Sequence, residues 1–169
     1  MRYTPAAMAL ALAALLTAST GFGAPPAPLE PRAAALVEQG RTALSAGKVD
    51  EAVADFEAAL AVQPGHVAIY LNLAEAARKQ GMQGKALHYY RVALNLDPSN
   101  QYAIAGEGEA LVEKGAVEKA KLNLAHLQQV CGSPTCPSAQ SLSAAIARGP
   151  APQVLTAAQV EVKPEVTSN

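Results

Sequence analysis

The sequence predicts an all-α protein, an α-solenoid of three helical hairpins followed by a C-terminal capping helix. Two observations lead to that class, and a third limits its partners. Alanine supplies 38 of 169 residues, while Phe numbers 2, Tyr 5 and Trp 0, so the apolar half of the chain is made of the best helix former and is poor in the residues strands favour. Four positional registers recur at 34 residues: Gly47, Gly81 and Gly115; Ala52, Ala86 and Ala120; Phe56, Tyr90 and Leu124; Pro64 and Pro98. One such spacing repeated in four registers marks stacked supersecondary units. Lastly, 13 Lys and Arg face 14 Asp and Glu, so no strong field gathers nucleic acid or anionic lipid.

The N-terminal segment opens with Met1-Arg2-Tyr3-Thr4-Pro5, continues as an apolar run from Ala6 to Leu16 and ends in small and polar residues up to Ala24. That order reads as a secretory signal peptide over residues 1–23, cut after Gly23, with Ala24 as the alternative. The other reading is an uncleaved anchor across Ala6 to Ala24, its N-terminus held inside by Arg2. Both readings export the rest of the chain, and no Cys stands just after the apolar run to carry a lipid. Residues 24–31, Ala-Pro-Pro-Ala-Pro-Leu-Glu-Pro, are an extended linker holding the domain away from the N-terminal segment.

The repeats span 32–65, 66–99 and 100–133, and each divides into two helices about its glycine. Gly47, Gly81 and Gly115 stand where the first helix ends and turns back, because glycine accepts the left-handed conformation there at little cost. Asp50 and Glu118 put negative charge in the first turn of the second helix. Ala52, Ala86 and Ala120 let the paired helices cross closely, and Phe56 and Tyr90 fill the space between hairpins. Pro64 and Pro98 stop the second helix by disfavouring helical geometry in the residue before. A last helix over 137–147 brings Leu142 and Ile146 one turn apart, with Ala139 and Ala145 beside them, and covers the final apolar face. The domain is thus 32–148. Residues 149–169 hold three prolines and no helical period and read as a disordered tail; alternatively, Val160 and Val162 let it lie along a partner or the chain's own groove.

These positions resemble the tetratricopeptide repeat (TPR) family, and the leader makes this an exported bacterial member. Gly40, Ala52, Phe56, Ala59 and Pro64 carry the likeness in the first repeat; Tyr70, Leu73, Ala86, Tyr90, Ala93 and Pro98 carry it in the second. The third keeps Gly108 and Ala120, with Leu124, Leu127 and Gly132 as substitutes, while Gln39 and Glu107 stand where the family has apolar residues. The resemblance implies a concave groove lined by first helices, here Val37, Arg41 and Leu44, then Leu71, Asn72, Glu75 and Lys79, then Tyr102, Ala105, Glu109 and Val112. It implies a peptide or protein partner, with Tyr102 as the energetic anchor because aromatics dominate binding hot spots. The alternative is that these residues are ordinary solvent-facing positions. Members that clamp the terminal carboxylate of chaperones use Lys, Asn, Asn, Lys and Arg where this chain has Val37, Arg41, Asn72, Tyr102 and Gly106, so that clamp is not expected.

Cys131 and Cys136 are the only cysteines. In an exported chain an even, unaccompanied pair reads as a disulfide, stapling the cap to the last hairpin for about 2 kcal/mol. Free thiols, a redox pair, or a metal site with His126 are the alternatives; the spacing is not of the thioredoxin type, and three ligands are one short of a closed zinc site. His66, His88 and His126 have no acid and nucleophile arranged about them. Gly106-Glu107-Gly108 reads as a close helix approach, and Glu107, Glu109 and Glu113 as a solvated acidic face. No catalytic, cofactor or metal role is assigned. The expectation is a non-enzymatic adaptor or scaffold in the periplasm without a membrane span in its mature form. A self-associating structural protein and an accessory subunit of an envelope secretion or biogenesis enzyme complex are the alternatives.

Overall fold

A computed structural model describes residues 28–133 and 136–150. The expected leader at 1–23, the linker up to residue 27 and the tail from residue 151 lie outside the described residues. Seven helices are present among those described: α1 (Pro31–Ser45), α2 (Val49–Val62), α3 (Val67–Lys79), α4 (Gln83–Leu96), α5 (Gln101–Glu113), α6 (Val117–Cys131) and α7 (Pro137–Arg148). None is long and apolar enough to cross a membrane. α1 packs along α2, α3 along α4 and α5 along α6; α2 meets α3, α4 meets α5, and α7 lies against both α5 and α6.

The turn chemistry explains the hairpins. At each turn the glycine adopts a positive φ, 77° at Gly47, 73° at Gly81 and 83° at Gly115. This lets the following amide reach back to the last helical turn, as in Lys48 N to Ala43 O at 2.9 Å and Ala116 N to Leu111 O at 2.8 Å, so the last carbonyls are not orphaned. α2 and α4 end two residues before Pro64 and Pro98, with Gln63 and Asp97 outside helical geometry. In the third repeat Gly132 replaces the proline and ends α6 through a φ of 63°.

Ala52, Ala86 and Ala120 are completely buried at the crossings. One core cluster joins Val37, Phe56, Ile69 and Leu73; the other joins Tyr90, Ile104, Leu111, Leu127 and Leu142. Phe56 and Tyr90 therefore do bridge consecutive hairpins. Two glycines make room for them, because a Cβ on Gly40 would come within 2.4 Å of the Phe56 ring and one on Gly106 within 2.3 Å of the Tyr90 ring. Leu142 of α7 fills the equivalent space over Gly108, where an added Cβ would come within 2.7 Å of it. The Gly106-Glu107-Gly108 segment is thus a double close approach.

The structure differs from expectation at the domain edges. Pro31, assigned to the extended 24–31 linker, is the first residue of α1, a position where its missing N–H costs nothing. The chain just before it is docked: Glu30 N donates to Gln63 Oε1 at 2.8 Å, Gln63 Nε2 donates to Pro28 O at 3.3 Å, and Leu29 packs on the first core cluster. The capping helix extends one residue past the expected 137–147, to Arg148.

Candidate functional site

The side chains that α1, α3 and α5 turn inward form two adjoining pockets. The first, about 290 Å³, is lined by Arg41, Ala68, Leu71, Asn72 and Tyr102. The second, about 370 Å³, is lined by Leu71, Glu75, Arg78, Tyr90, Tyr102, Ala105, Gly106 and Glu109, with Pro137, Ser138 and Ser141 of α7 as its far wall. Leu71 and Tyr102 belong to both, so the pockets form one groove with an apolar ridge at its middle. Tyr102 is 74% exposed, whereas Tyr90 below it is 4% exposed.

In the first pocket, Arg41 Nε donates to Asn72 Oδ1 at 3.1 Å, and Asn72 Nδ2 donates to Ala68 O at 2.6 Å. Both ends of the amide are thereby fixed, while the Arg41 side chain remains 53% exposed.

Arg78 organises the second pocket. Its Nη1 donates to Glu75 Oε2 at 3.2 Å and to Glu109 Oε2 at 2.8 Å, its Nε reaches both oxygens of Glu113, and its Nη2 also binds Glu113. Ser141 Oγ donates to the other oxygen of Glu109 at 2.6 Å, tying α7 to the cluster. Burial acts to lower the Arg78 pKa, but the hydrogen bond to Glu113 and the neighbouring charges outweigh it and the net direction is upward. The guanidinium stays charged. Burial also pushes the Tyr90 hydroxyl up to about 12, against an opposing pull from Arg78.

Of the residues expected in the groove, Arg41, Leu71, Asn72, Glu75, Tyr102, Ala105 and Glu109 come together there. Val37 and Val112 do not: they are 2% and 3% exposed, in the two core clusters. The reason is helical phase. Val37 shares a stripe with buried Ala33 and Gly40; on α5, Tyr102 and Glu109 face the groove, whereas Val112 is rotated away from them onto the edge it shares with Ala105, itself only 6% exposed, and buried Gly108. Leu44, on the Val37 stripe, is half-buried against the first cluster. Lys79 lies outside both pockets, its Nζ 3.9 Å from Glu75 Oε1.

The acidic face is also corrected. Glu109 and Glu113 are bound by Arg78, and Glu107 accepts from Arg91 Nε at 2.9 Å and Asn123 Nδ2 at 3.0 Å. With 13% of its side chain exposed, Glu107 is a linking residue rather than a solvated one. Arg78, Tyr90 and Ser141 are groove residues that the repeat positions alone do not pick out. A signal for Arg78 existed, because Glu109 and Glu113 lie 31 and 35 residues beyond it, bracketing the repeat length and so falling at the same level of the next hairpin. Cys131 and Cys136 are joined in a disulfide, with Cα atoms 6.2 Å apart; the pair links the end of α6 to the start of α7.

Residues 37–101 match the family model described as tetratricopeptide repeat. Among solved structures, the first TPR of Spaghetti (RPAP3) bound to the HSP90 peptide SRMEEVD is 22% identical, with a TM-score of 0.62 over 69% of this chain and 91% of that one. The TPR2B domain of yeast Sti1, in its pHsp70 complex, is 17% identical, with a TM-score of 0.63 over 70% of this chain and 98% of that one. The Sgt2 TPR domain from Aspergillus fumigatus is 18% identical, with a TM-score of 0.64 over 85% of this chain and 97% of that one. No curated protein matches the sequence. Residues 37–101 thus match the tetratricopeptide repeat model, and the 34-residue hairpins, with their glycine turns and alanine crossings, share the fold of these TPR domains.

Proposed function

We propose that the protein is a non-enzymatic interaction module that holds a peptide or protein segment in the groove between α1, α3, α5 and α7, and that it works in the periplasm. The observation that carries the binding reading is Tyr102. It is 74% exposed and borders both pockets, while Phe56 and Tyr90 are buried in the core. A large side chain left in water at the centre of a groove has apolar surface to bury against a partner. The likeness in fold to domains captured with HSP90 and Hsp70 peptides adds support. Export is supported by the basic, apolar, then small-residue order of residues 1–23 and by the disulfide, a bond that persists in oxidising compartments.

Cross-linking capture with wild type and with the Arg41→Glu, Tyr102→Ala double variant tests the binding reading. Partners lost from the variant are expected, and identical partner sets from both would remove the groove from the account. Cell fractionation tests location: the chain is expected in the osmotic-shock fraction, and retention with the cytoplasm overturns that part.

A further inference from the structure

We propose that the groove selects a short segment in which a large apolar side chain is flanked on one side by Lys or Arg and on the other by an acceptor such as Asp, Glu, Asn or Gln. This rests on the peptide-binding reading above and adds the chemistry of the partner. Each half of the groove has its own unengaged polar groups.

In the pocket walled by α7, all three nitrogens of Arg78 already donate to carboxylates of the protein itself. The side chain that looks like a receptor for a partner's carboxylate is therefore engaged. Glu75, Glu109 and Glu113 outnumber the cations among them, even with Lys79 counted, and Glu75 keeps 42% of its side chain exposed with only the distant Lys79 Nζ facing Oε1. What this pocket offers a visitor is negative charge and spare acceptor capacity, which a Lys or Arg side chain satisfies by charge-assisted hydrogen bonds. In the other pocket the polarity reverses. Asn72 has both amide ends engaged, and Arg41 uses its Nε on Asn72 with Glu38 4.0 Å from its Nη1. The remaining groups there are guanidinium N–H donors, which call for an acceptor. Between the pockets, Leu71 and Tyr102 present apolar surface to both sides.

This polarity disfavours a segment with acidic side chains on both sides of its apolar residue, because one carboxylate would then face Glu75 and Glu109. Selection of a random heptapeptide phage library on the full purified chain is the test, followed by anisotropy titration of the best labelled peptide and of a version whose basic residue is replaced by Glu. The expected peptides carry basic, apolar and acceptor side chains in that relative order along the groove. Glu75→Gln is expected to weaken them about tenfold and to have no effect on a version whose basic residue is replaced by Gln. Arg41→Gln is expected to do the same for the acceptor alone. Thermal melts confirm that both variants fold. Peptides that depend on Tyr102 but show no charge order, or a Glu-for-basic version binding as tightly as the selected peptide, overturn this inference and leave the groove's binding role standing. Failure to select any Tyr102-dependent peptide overturns both.

Discussion

Arg78 of the second hairpin grips Glu109 of the third, Nη1 to Oε2 at 2.8 Å, and Ser141 of the capping helix holds the other oxygen of the same carboxylate at 2.6 Å. One carboxylate thus ties three successive layers of the stack together, with the Arg78 and Glu109 side chains only 17% and 18% exposed. Removing one partner from a poorly solvated ion cluster leaves the others uncompensated. Arg78→Met should therefore destabilise the protein by about 2–4 kcal/mol, and adding Glu109→Gln and Glu113→Gln should recover part of that loss. Urea denaturation measures both; an Arg78→Met variant as stable as wild type would show that the cluster contributes nothing net.

Gly106→Ala puts a methyl group 2.3 Å from the Tyr90 ring. Overpacking of this kind should cost about 1–3 kcal/mol. Tyr90→Phe should not rescue it, because ring carbons as well as the hydroxyl lie in the way, whereas Tyr90→Leu should. Equal denaturation midpoints for wild type and Gly106→Ala would contradict the close packing.

Alkaline titration should single out Tyr90. Burial lifts its hydroxyl from the ordinary 10.0 to about 12 in the folded chain, so the unfolded chain releases the proton first. The stability linked to this group is fully present below pH 10 and is lost as pH rises through about 12. Ultraviolet phenolate absorbance should show a late-ionising component that is missing from Tyr90→Phe. Absence of a late component in the folded wild type would refute this.

Reducing the Cys131–Cys136 bond should loosen α7 and with it the wall made by Pro137, Ser138 and Ser141. Hydrogen exchange in α7 should quicken, global stability should drop by about 2 kcal/mol, and peptide binding should weaken while α1 to α4 stay protected. If reductant leaves both exchange and binding unchanged, α7 is held by its apolar face alone.

Tyr102→Ala should separate binding from folding. Because the ring is mostly in water, stability should stay within about 0.5 kcal/mol of wild type, with loss of binding to any groove ligand. A large fall in melting temperature would mean that the ring supports the fold.

The hairpins were legible because each demand falls on one residue type: a positive φ at Gly47, a closely packed crossing at Ala52, a helix stop before Pro64. The cap was legible from the spacing of Leu142 and Ile146. The groove was legible in part. Repeat register brings Arg41, Tyr102 and Glu109 to the pocket walls, but it assigns Val37 and Val112 there as well, because transferring positions between repeats ignores how each helix is rotated toward the core. Arg78 escaped because an ion pair spanning 31 residues depends on how one hairpin rotates upon the next, and composition does not record that angle.

Repeat arrays lengthen by duplication, and this one can do so freely at one end only. A further hairpin inserted after α6 would displace α7 from Gly108, sever Ser141 from Glu109 and open the second pocket along its far side. A hairpin added ahead of α1 would leave all of that untouched. The position of the cap therefore limits how the molecule can be enlarged, by evolution or by design, if its groove is to survive.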